Sequence, residues 1–577
     1  MSTSGDTSKF YLNCYLYGDA VKNCIRVAAI PSMPISELVP EILRVYNEQG
    51  YGQELETKNT RISVFRVDFP RDKLGNLETP SEDDLLDRMD EVADYWPNPG
   101  QLSRRHIQML IKAEAIPTHP VTGAEQQKQL SVLTGENLLD GLIERFKKAR
   151  LQYCDSLDKH SASEAAKPGN FNKQQKTNDY MLNGRPRQHT GPPIVIYHPV
   201  FGSFLSNLLS SDRLSPEFYN LIFDYLWASQ DTYDIETGSS RGNQGRAWER
   251  NSKSGLEELL GKLWQPKEPG VIPDGEAIVS SGGYCILMEM KNEIGAGGSD
   301  PSIQAAQTYS WVWRNSKLLD QCSCPSILLA IAGPWMCVLG AVFLNRPVVQ
   351  PLTDFVWVGT NPSKPRDVCY VARIFHSIVS ARKELEAYYS DLAGRTSPIP
   401  RPLWVLPYPT HFTNEQGQQV DFTYISYLDL VSLEAASHLE RCNSRFPPDK
   451  LIFVAKLCPP NPPTLIVVKF VESYNADAHK LLARQDLAPK LLYDGTSNGN
   501  NQLGPDYRMI VMEHINGINL GHYLGSDLPE IVSKNITDAL ELLHAEDLVF
   551  GDLRKPNIML VQDATKKVIG AKLIDFD

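Results

Sequence analysis

Two apolar stretches, VIPDGEAIV at 271–279 and YCILMEMKNE at 284–293, are separated by a Gly-Gly turn. Their length and the glycine-containing turn predict two adjacent strands. Glu289 and Lys291 are two residues apart, so on a strand their side chains project from the same face. Asp274 lies in the first stretch. The pattern therefore predicts a sheet in which Asp274, Glu289 and Lys291 form one site at the sheet's rim.

These three side chains suit phosphodiester hydrolysis. Two carboxylates, Asp274 and Glu289, can hold a divalent metal that binds a phosphate oxygen and lowers the pKa of an attacking water. Lys291 can orient that water or stabilise the charge that develops on the phosphorane. A Glu-x-Lys pair alone is common on surface strands, but here it ends an apolar run. The sequence therefore predicts a metal-dependent nuclease with Mg²⁺ or Mn²⁺ as its cofactor and nucleic acid as its partner.

An Asp followed by Glu-x-Lys on the next strand resembles the active site of PD-(D/E)xK nucleases, which implies a restriction-endonuclease-like α/β core. The resemblance also implies a catalytic glutamine on the following helix, where Gln304 and Gln307 stand. An acidic residue on the preceding helix is expected to complete the metal ligands, and Glu249 is our candidate. Three other glutamates compete for that role: Glu236, Glu257 and Glu258.

A longer block, from YHPVFGSFL at 197–205 to AGPWMCVLGAVFL at 332–344, resembles the nuclease-like domain that is fused to kinase domains in many fungal proteins. In that family DNA is the expected substrate. The chemistry of the three side chains alone fits RNA equally well.

Residues 425–577 resemble the small lobe and catalytic loop of a protein kinase. In that family a strand lysine grips the ATP phosphates, a catalytic-loop aspartate orients the substrate hydroxyl, and an asparagine and a later aspartate hold metal. A second lysine in the loop contacts a phosphate. The matching positions are Lys469 in LIVVKF, then Asp552, Lys555 and Asn557 in LVFGDLRKPNIMLV, and Asp575 in KLIDFD.

Departures from the kinase pattern argue against phosphoryl transfer. No glycine-rich loop directly precedes Lys469, and His479 stands where a glutamate would pair with that lysine. Phe550-Gly551-Asp552 replaces the usual His-Arg-Asp. Because the sequence ends at Asp577, within the segment that would lead into an activation loop, we expect no kinase activity and at most weak ATP binding.

The first 113 residues show the order of a β-grasp, ubiquitin-like domain, with two strands, a helix and further strands. NCYLYGD at 13–19, RISVFRVDF at 61–69, SEDDLLD at 81–87 and RRHIQMLIKA at 104–113 resemble the ubiquitin-like N-terminal domain of Crinkler effectors from fungi and oomycetes. An LFLAK-like translocation motif is not visible. The resemblance implies a non-catalytic domain for delivery, or for binding host or self proteins.

The chain of 577 residues is too long for one hydrophobic core, so we expect a multidomain α/β and α+β protein. The polar composition of 114–190 predicts a low-complexity linker, apart from one amphipathic helix at Leu138–Arg150. The predicted parts are a ubiquitin-like Crinkler domain at 1–113, the linker at 114–190, the nuclease-like domain at 191–395, a proline-rich connection at 396–424, and a truncated kinase-like part at 425–577.

The formal net charge of −12 argues against a broad surface for nucleic acid, although a local basic groove is compatible with it. The N-terminus has no conventional signal peptide, and glycine and proline interrupt the most apolar stretch, Ser326–Phe343. We therefore expect no membrane partner. Ten dispersed cysteines favour a reducing compartment.

These observations predict a Crinkler-type effector, secreted by an unconventional route and acting in a host cell, with the nucleus as a candidate location. The alternative is a protein that is not exported and stays inside the cell that makes it. The functional alternative is a catalytically inactive scaffold, whose ubiquitin-like domain and kinase-like part bind proteins.

Overall fold

The computed structural model of the chain describes residues 9–16, 24–33, 35–48, 60–71, 86, 92–96, 102–103, 105–115, 135–157, 161–230, 247–264, 273–295, 298–359, 364–394, 403–428, 451–459, 461, 464–497, 503–523 and 527–577. These residues form a mixed α/β protein with several sheets and twelve α-helices. They divide into two compact units, one drawn from residues 1–132 and the other from residues 133–436 and 445–577. Within the described ranges, no helix is long and apolar enough to cross a membrane.

The first unit is a four-stranded sheet with one long helix. Its elements are β1 (Phe10–Leu16), β2 (Ile25–Ala29), α1 (Ile35–Glu48), β3 (Thr60–Pro70), α2 (Val92–Tyr95) and β4 (His106–Ala115). The strand order is β2-β1-β4-β3, with β1 and β4 parallel and the other neighbours antiparallel.

Leu38 and Ile42 of α1 are buried against Leu12, Val27 and Met109 of the sheet. The apolar spacing in α1 and the alternation in the strands explain this core, and the predicted order of strands and helix is confirmed. Most of the SEDDLLD motif lies outside the described residues, as does the end of NCYLYGD.

The second unit begins with helices and a six-stranded sheet. Its first elements are α3 (Gly135–Ser156), α4 (Ala162–Ala165), α5 (Pro168–Gln174), α6 (Pro199–Leu209), α7 (Pro216–Ser229), α8 (Ala247–Leu260), β5 (Gly275–Ile278), β6 (Tyr284–Lys291), α9 (Pro301–Trp313), β7 (Ser326–Ala332), β8 (Trp335–Phe343), β9 (Pro347–Pro351), β10 (Val356–Trp357) and α10 (Pro365–Gly394). The strand order is β10-β8-β7-β6-β5, and β9 also pairs with β8.

Only β6 and β7 are parallel in this sheet, and α9 makes the crossover between them. A parallel pair requires such a connection, whereas the antiparallel pair β5–β6 needs only a turn. That turn is the predicted Gly-Gly reversal, and Gly282 has a φ of +91°, which favours glycine. The helices predicted near 217–227, 303–313 and 368–389 are confirmed.

The prediction of a linker at 114–190 is wrong for its second half. The predicted helix at Leu138–Arg150 is confirmed within α3, and the fully buried Arg150 donates to the carbonyl of Leu344 at 2.7 Å. Leu182 forms a β-bridge with Val348. Few apolar residues suffice here, because backbone and polar side-chain hydrogen bonds to the sheet replace a separate core. Residues 116–134 lie outside the described ranges.

The chain ends in a second six-stranded sheet and a small three-stranded one. The elements are β11 (His411–Thr413), β12 (Gln419–Tyr427), β13 (Ile452–Leu457), β14 (Leu465–Val471), α11 (Ala476–Ala483), β15 (Leu491–Asp494), β16 (Arg508–Glu513), β17 (Gly517–Asn519), α12 (Glu530–Ala545), β18 (Ile558–Gln562) and β19 (Val568–Leu573). The orders are β11-β12-β13-β14-β16-β15 and β17-β18-β19.

The predicted connection at 396–424 needs a correction, because β11 and most of β12 fall inside it. The β12 sequence QVDFTYISY alternates exposed and buried residues as an edge-near strand should. The prolines stand before β11, at 398–409, so the composition of the segment as a whole is that of a connection although its last residues form strands. The connection is therefore shorter than predicted, and the final sheet begins at His411.

Candidate functional site

The adjacent ends of β5 and β6 bring the three predicted nuclease residues together. Asp274 stands immediately before β5, and its Oδ2 accepts a hydrogen bond of 2.7 Å from the backbone N–H of Met290. Met290 lies between Glu289 and Lys291 on β6. The Asp274 carboxylate is therefore fixed at the Glu-x-Lys segment, as the sequence predicts.

Glu289 is almost fully buried, with 1% of its surface exposed. Two side chains of α9 hold its carboxylate: Gln304 Nε2 donates to Oε2 at 2.5 Å, and Thr308 Oγ1 donates to Oε1 at 2.6 Å. Ser299 Oγ donates to Gln304 Oε1 at 3.0 Å, which fixes the orientation of the glutamine amide. The crossover helix thus positions the carboxylate, and Glu289 lies beneath α9 rather than at an open rim.

The environment of Glu289 disfavours its charged form. Burial is the main cause, the nearby Asp274 carboxylate adds to it, and together they raise the pKa of Glu289 to about 8. The hydrogen bonds from Thr308 and Gln304 and the positive charge of Lys291 act in the opposite direction. Near neutral pH the carboxyl therefore holds a proton unless a cation replaces it.

Lys291 ends β6, is half-buried, and is near enough to Glu289 for its positive charge to act on that carboxyl. The chain then passes through a glycine-containing loop, in which Gly295 and Gly298 have positive φ angles, to the start of α9. Asp300 caps that helix by accepting from the N–H of Ser302 at 2.8 Å. The loop is therefore short and fixed at both ends.

The helix α8 passes beside the site. Lys253 of α8 donates from Nζ to the carbonyl oxygen of Asp274 at 2.7 Å. Glu249 lies one helical turn, about 6 Å, before Lys253, and its side chain lies outside the described residues. The chain leaves α8 towards Trp264, which pairs with Glu276 of β5.

Helical spacing separates the candidates for the acidic helix ligand. Glu257 lies four residues after Lys253, so it shares the face of α8 that approaches Asp274, and Glu249 lies four residues before Lys253 in the sequence. Glu257 is half-buried but forms no metal-binding group with the described carboxylates, and Glu258 is exposed. Glu236 lies outside the described residues. Glu249 therefore stays the candidate.

The donor set fits a hard divalent cation. Mg²⁺ and Mn²⁺ prefer oxygen ligands, and Asp274 and Glu289 supply two carboxylates at one place. An ionised carboxylate has about four lone-pair positions, so the two hydrogen bonds to Glu289 leave others for a cation. Within the part of the chain that the structure describes, no three Asp, Glu, His or Cys side chains form a complete metal site. Glu249, whose side chain lies outside that part, stays the candidate that the sequence predicts for a third acidic ligand.

Three residues that support the site were not predicted from the sequence: Thr308, Ser299 and Lys253. Thr308 follows Gln304 by four residues, so helical spacing could have placed both on one face of α9. Ser299 and Lys253 have no such signal, because their contacts depend on how a loop and a distant helix pack. Gln307 is fully buried and donates through Nε2 to Gln174, so Gln304 is the glutamine that binds Glu289.

The kinase-like residues form two groups in the last part of the chain. Lys469 of β14 is buried and binds the carboxylates of Asp575 and Asp577, the latter at 2.6 Å. Asn557 donates from Nδ2 to the Asp552 carboxylate at 2.8 Å. Four of the residues that the sequence predicts for a nucleotide site are therefore in contact as two pairs.

The other described contacts in this region involve Asp552 and His479. Arg554 binds the exposed Asp552 carboxylate and is the main cause of its lowered pKa. Lys555 is exposed. His479 contacts Tyr474 and the carbonyl of Pro489, both at 2.7 Å, and burial lowers its pKa to about 4. His479 is thus a neutral packing residue whose described contacts are with groups other than Lys469.

Comparison of the chain with protein-family models and with curated proteins finds no match in either set.

Proposed function

We propose that the chain is a metal-dependent nuclease, with DNA as its favoured substrate. The observation that carries this proposal is the hydrogen bond from Met290 N–H to Asp274, which brings both carboxylates and Lys291 to one place. The burial and raised pKa of Glu289 add support, because a buried carboxyl next to a second carboxylate favours cation binding.

Each residue would have one role in cleavage. Asp274 and Glu289 would hold Mg²⁺ or Mn²⁺, with Glu249 as the further ligand, and the bound ion would lower the pKa of the attacking water. Gln304 and Thr308 orient Glu289, as outer hydrogen bonds commonly orient metal ligands. Lys291 would position the water or stabilise the negative charge that develops on the phosphate.

The strand orders support the three fold assignments that the sequence suggests. An antiparallel β5–β6 pair followed by a crossover helix and a parallel β7 is compatible with a restriction-endonuclease-like core. The order β2-β1-β4-β3, with a parallel central pair, is compatible with a ubiquitin-like Crinkler domain. The order β12-β13-β14-β16-β15, with Lys469 on the central strand, is compatible with the small lobe of a protein kinase.

Under this proposal the ubiquitin-like domain would bind host or self proteins, and the effector would act in a host cell after unconventional export. The kinase-like part would at most bind ATP weakly. Lys469 with Asp575, and Asp552 with Asn557, are the groups that favour such a nucleotide site.

A plasmid-cleavage assay tests the proposal. The full chain is incubated with supercoiled DNA in Mg²⁺, in Mn²⁺ or in EDTA, and nicked and linear products are measured. Cleavage that requires the metal supports the nuclease. The absence of cleavage in either metal would favour the scaffold alternative, in which the proton-bearing Glu289 and its hydrogen bonds serve only the fold.

A further inference from the structure

The segment at residues 166–190 carries a basic surface on an acidic protein. It contains five Lys and Arg residues and one acidic residue, Asp179, in a chain whose formal net charge is −12. Lys167 pairs with Glu164 at 2.6 Å, so its charge is locally balanced. The other four are exposed: Lys173, Lys176, Arg185 and Arg187. One of them, Arg185, also pairs with Asp300. We call these four residues the basic strip.

The strip is attached to the helix that positions Glu289. Gln174, next to Lys173, accepts a hydrogen bond from Gln307 of α9. Gln307 lies one turn after Gln304, which binds Glu289. Arg185 lies 3.5 Å from the Asp300 carboxylate at the start of α9. Two separate contacts therefore hold the strip beside the first turns of α9.

The contact of Arg185 with Asp300 also relates the strip to the end of β6. Lys291 ends that strand, and a loop of nine residues, 292–300, leads from it to Asp300. Arg185 contacts Asp300, so it stands at the far end of the loop that begins at Lys291. Nine residues span at most about 32 Å, so a duplex of about two helical turns is long enough to reach both Lys291 and Arg185.

The backbone beneath the strip is fixed. Gln175 is buried and bonds to Met181 through both its amide nitrogen and its oxygen, at 3.1 and 2.9 Å. Arg346 donates to the carbonyls of Asn178 and Tyr180, each at 3.2 Å, and lies 3.8 Å from the centroid of the Tyr180 ring. Exposed charges on a rigid support lose less entropy on binding than charges on a flexible tail.

We propose that the basic strip binds the phosphate backbone of duplex DNA and positions it for cleavage at Asp274 and Glu289. This inference rests on the proposed nuclease function and extends it to a substrate-binding surface outside the catalytic residues. Exposed Lys and Arg side chains neutralise phosphates without reading the sequence, so the strip supplies affinity and orientation rather than specificity.

The test measures how DNA binding depends on salt. The full chain carrying Asp274→Asn, which prevents cleavage, binds a fluorescent duplex of about two helical turns in potassium chloride from about 50 to about 200 mM. The strip variant adds Lys173→Gln, Lys176→Gln and Arg187→Gln. Arg185 is left intact because its contact with Asp300 would confuse binding with the placement of α9.

A control variant changes the same number of exposed basic residues in the last part of the chain: Lys490→Gln, Lys534→Gln and Lys567→Gln. Each phosphate contact adds about 0.9 to the slope of log affinity against log salt. The strip variant should therefore lose about two to three from that slope and bind about tenfold or more weakly at low salt. The control variant should keep the slope and bind within about twofold of its parent. Equal melting temperatures show that the strip variant is folded.

The outcomes separate the inference from the proposed function. If the chain cleaves DNA with metal but the strip variant keeps the slope, and the same three changes made in the chain with Asp274 intact leave the KM for cleavage unchanged, the strip inference is wrong and the nuclease stands. If the chain neither binds nor cleaves DNA at any salt concentration, both are wrong. Binding of duplex RNA but not duplex DNA, measured in parallel, would overturn the assignment of the strip to DNA.

Discussion

Replacing Glu289 by Gln should change how the stability of the metal-free protein depends on pH. Burial and Asp274 raise the pKa of Glu289 to about 8, above the ordinary value of 4.5. The native state therefore keeps this proton at a pH where the unfolded chain has lost it. The resulting contribution to stability is complete below pH 4.5 and is lost as the pH rises towards 8.

The size of the effect follows from that difference in pKa. Each pH unit between the two pKa values changes the free energy of unfolding by about 1.4 kcal/mol. Between about pH 5 and pH 8 the wild-type protein should therefore lose on the order of 4 kcal/mol that the Glu289→Gln variant keeps. The amide has one acceptor oxygen fewer for Gln304 and Thr308, so the variant should start about 1 to 2 kcal/mol less stable at about pH 5.

Urea unfolding in EDTA, followed by tryptophan fluorescence, measures both proteins from about pH 5 to about pH 9. Glu258→Gln, an exposed change of the same kind on α8, serves as the control and should follow the wild type. Mg²⁺ at about pH 8 should restore stability to the wild type more than to Glu289→Gln, because the cation favours the ionised carboxylate. Parallel pH curves for wild type and Glu289→Gln would refute the reasoning about this buried acid.

Three further predictions concern the other parts of the chain. Lys291→Met should keep the stabilisation by Mg²⁺ in a melting assay yet abolish DNA cleavage, whereas loss of both would assign Lys291 a structural role. Deleting residues 1–113, which lie in a separate compact unit, should leave the cleavage rate within about threefold; a larger loss would show that these residues contribute to catalysis. Labelled ATP should transfer no more phosphate with the full chain than with an Asp552→Ala, Asp575→Ala variant, because His479 provides no carboxylate for Lys469. Transfer that disappears in the variant would reverse this conclusion.

Short-range patterns in the sequence were sufficient to predict much of the fold and the three residues at the centre of the candidate site. The alternation in β1, the spacing in α1 and the Gly-Gly turn before β6 all reflect short-range geometry, which a sequence displays directly. The proximity of Asp274, Glu289 and Lys291 could also be predicted, because two strands joined by a short turn place these sequence positions next to one another.

The remaining features depend on contacts between distant segments. The burial of Glu289 arises from α9 lying over it, and the contact of Lys253 with Asp274 arises from the packing of α8. The segment at 166–190 has a polar composition that is typical of a linker, yet hydrogen bonds from Gln307 and Arg346 fix it to the sheet and α9. The amino-acid composition of a segment indicates how much apolar area it can bury. It does not indicate which of its polar groups will form hydrogen bonds with a neighbouring element.

The central claim is that Asp274 and Glu289 hold the metal that cleaves nucleic acid. The most direct measurement is the single-turnover rate of plasmid cleavage in Mg²⁺ for the full chain, for Asp274→Asn, and for Asp391→Asn. The last is the same change at an exposed site on α10. We predict metal-dependent cleavage that falls at least about 100-fold in Asp274→Asn and is unchanged in Asp391→Asn. Undiminished, metal-dependent cleavage by Asp274→Asn would contradict the account.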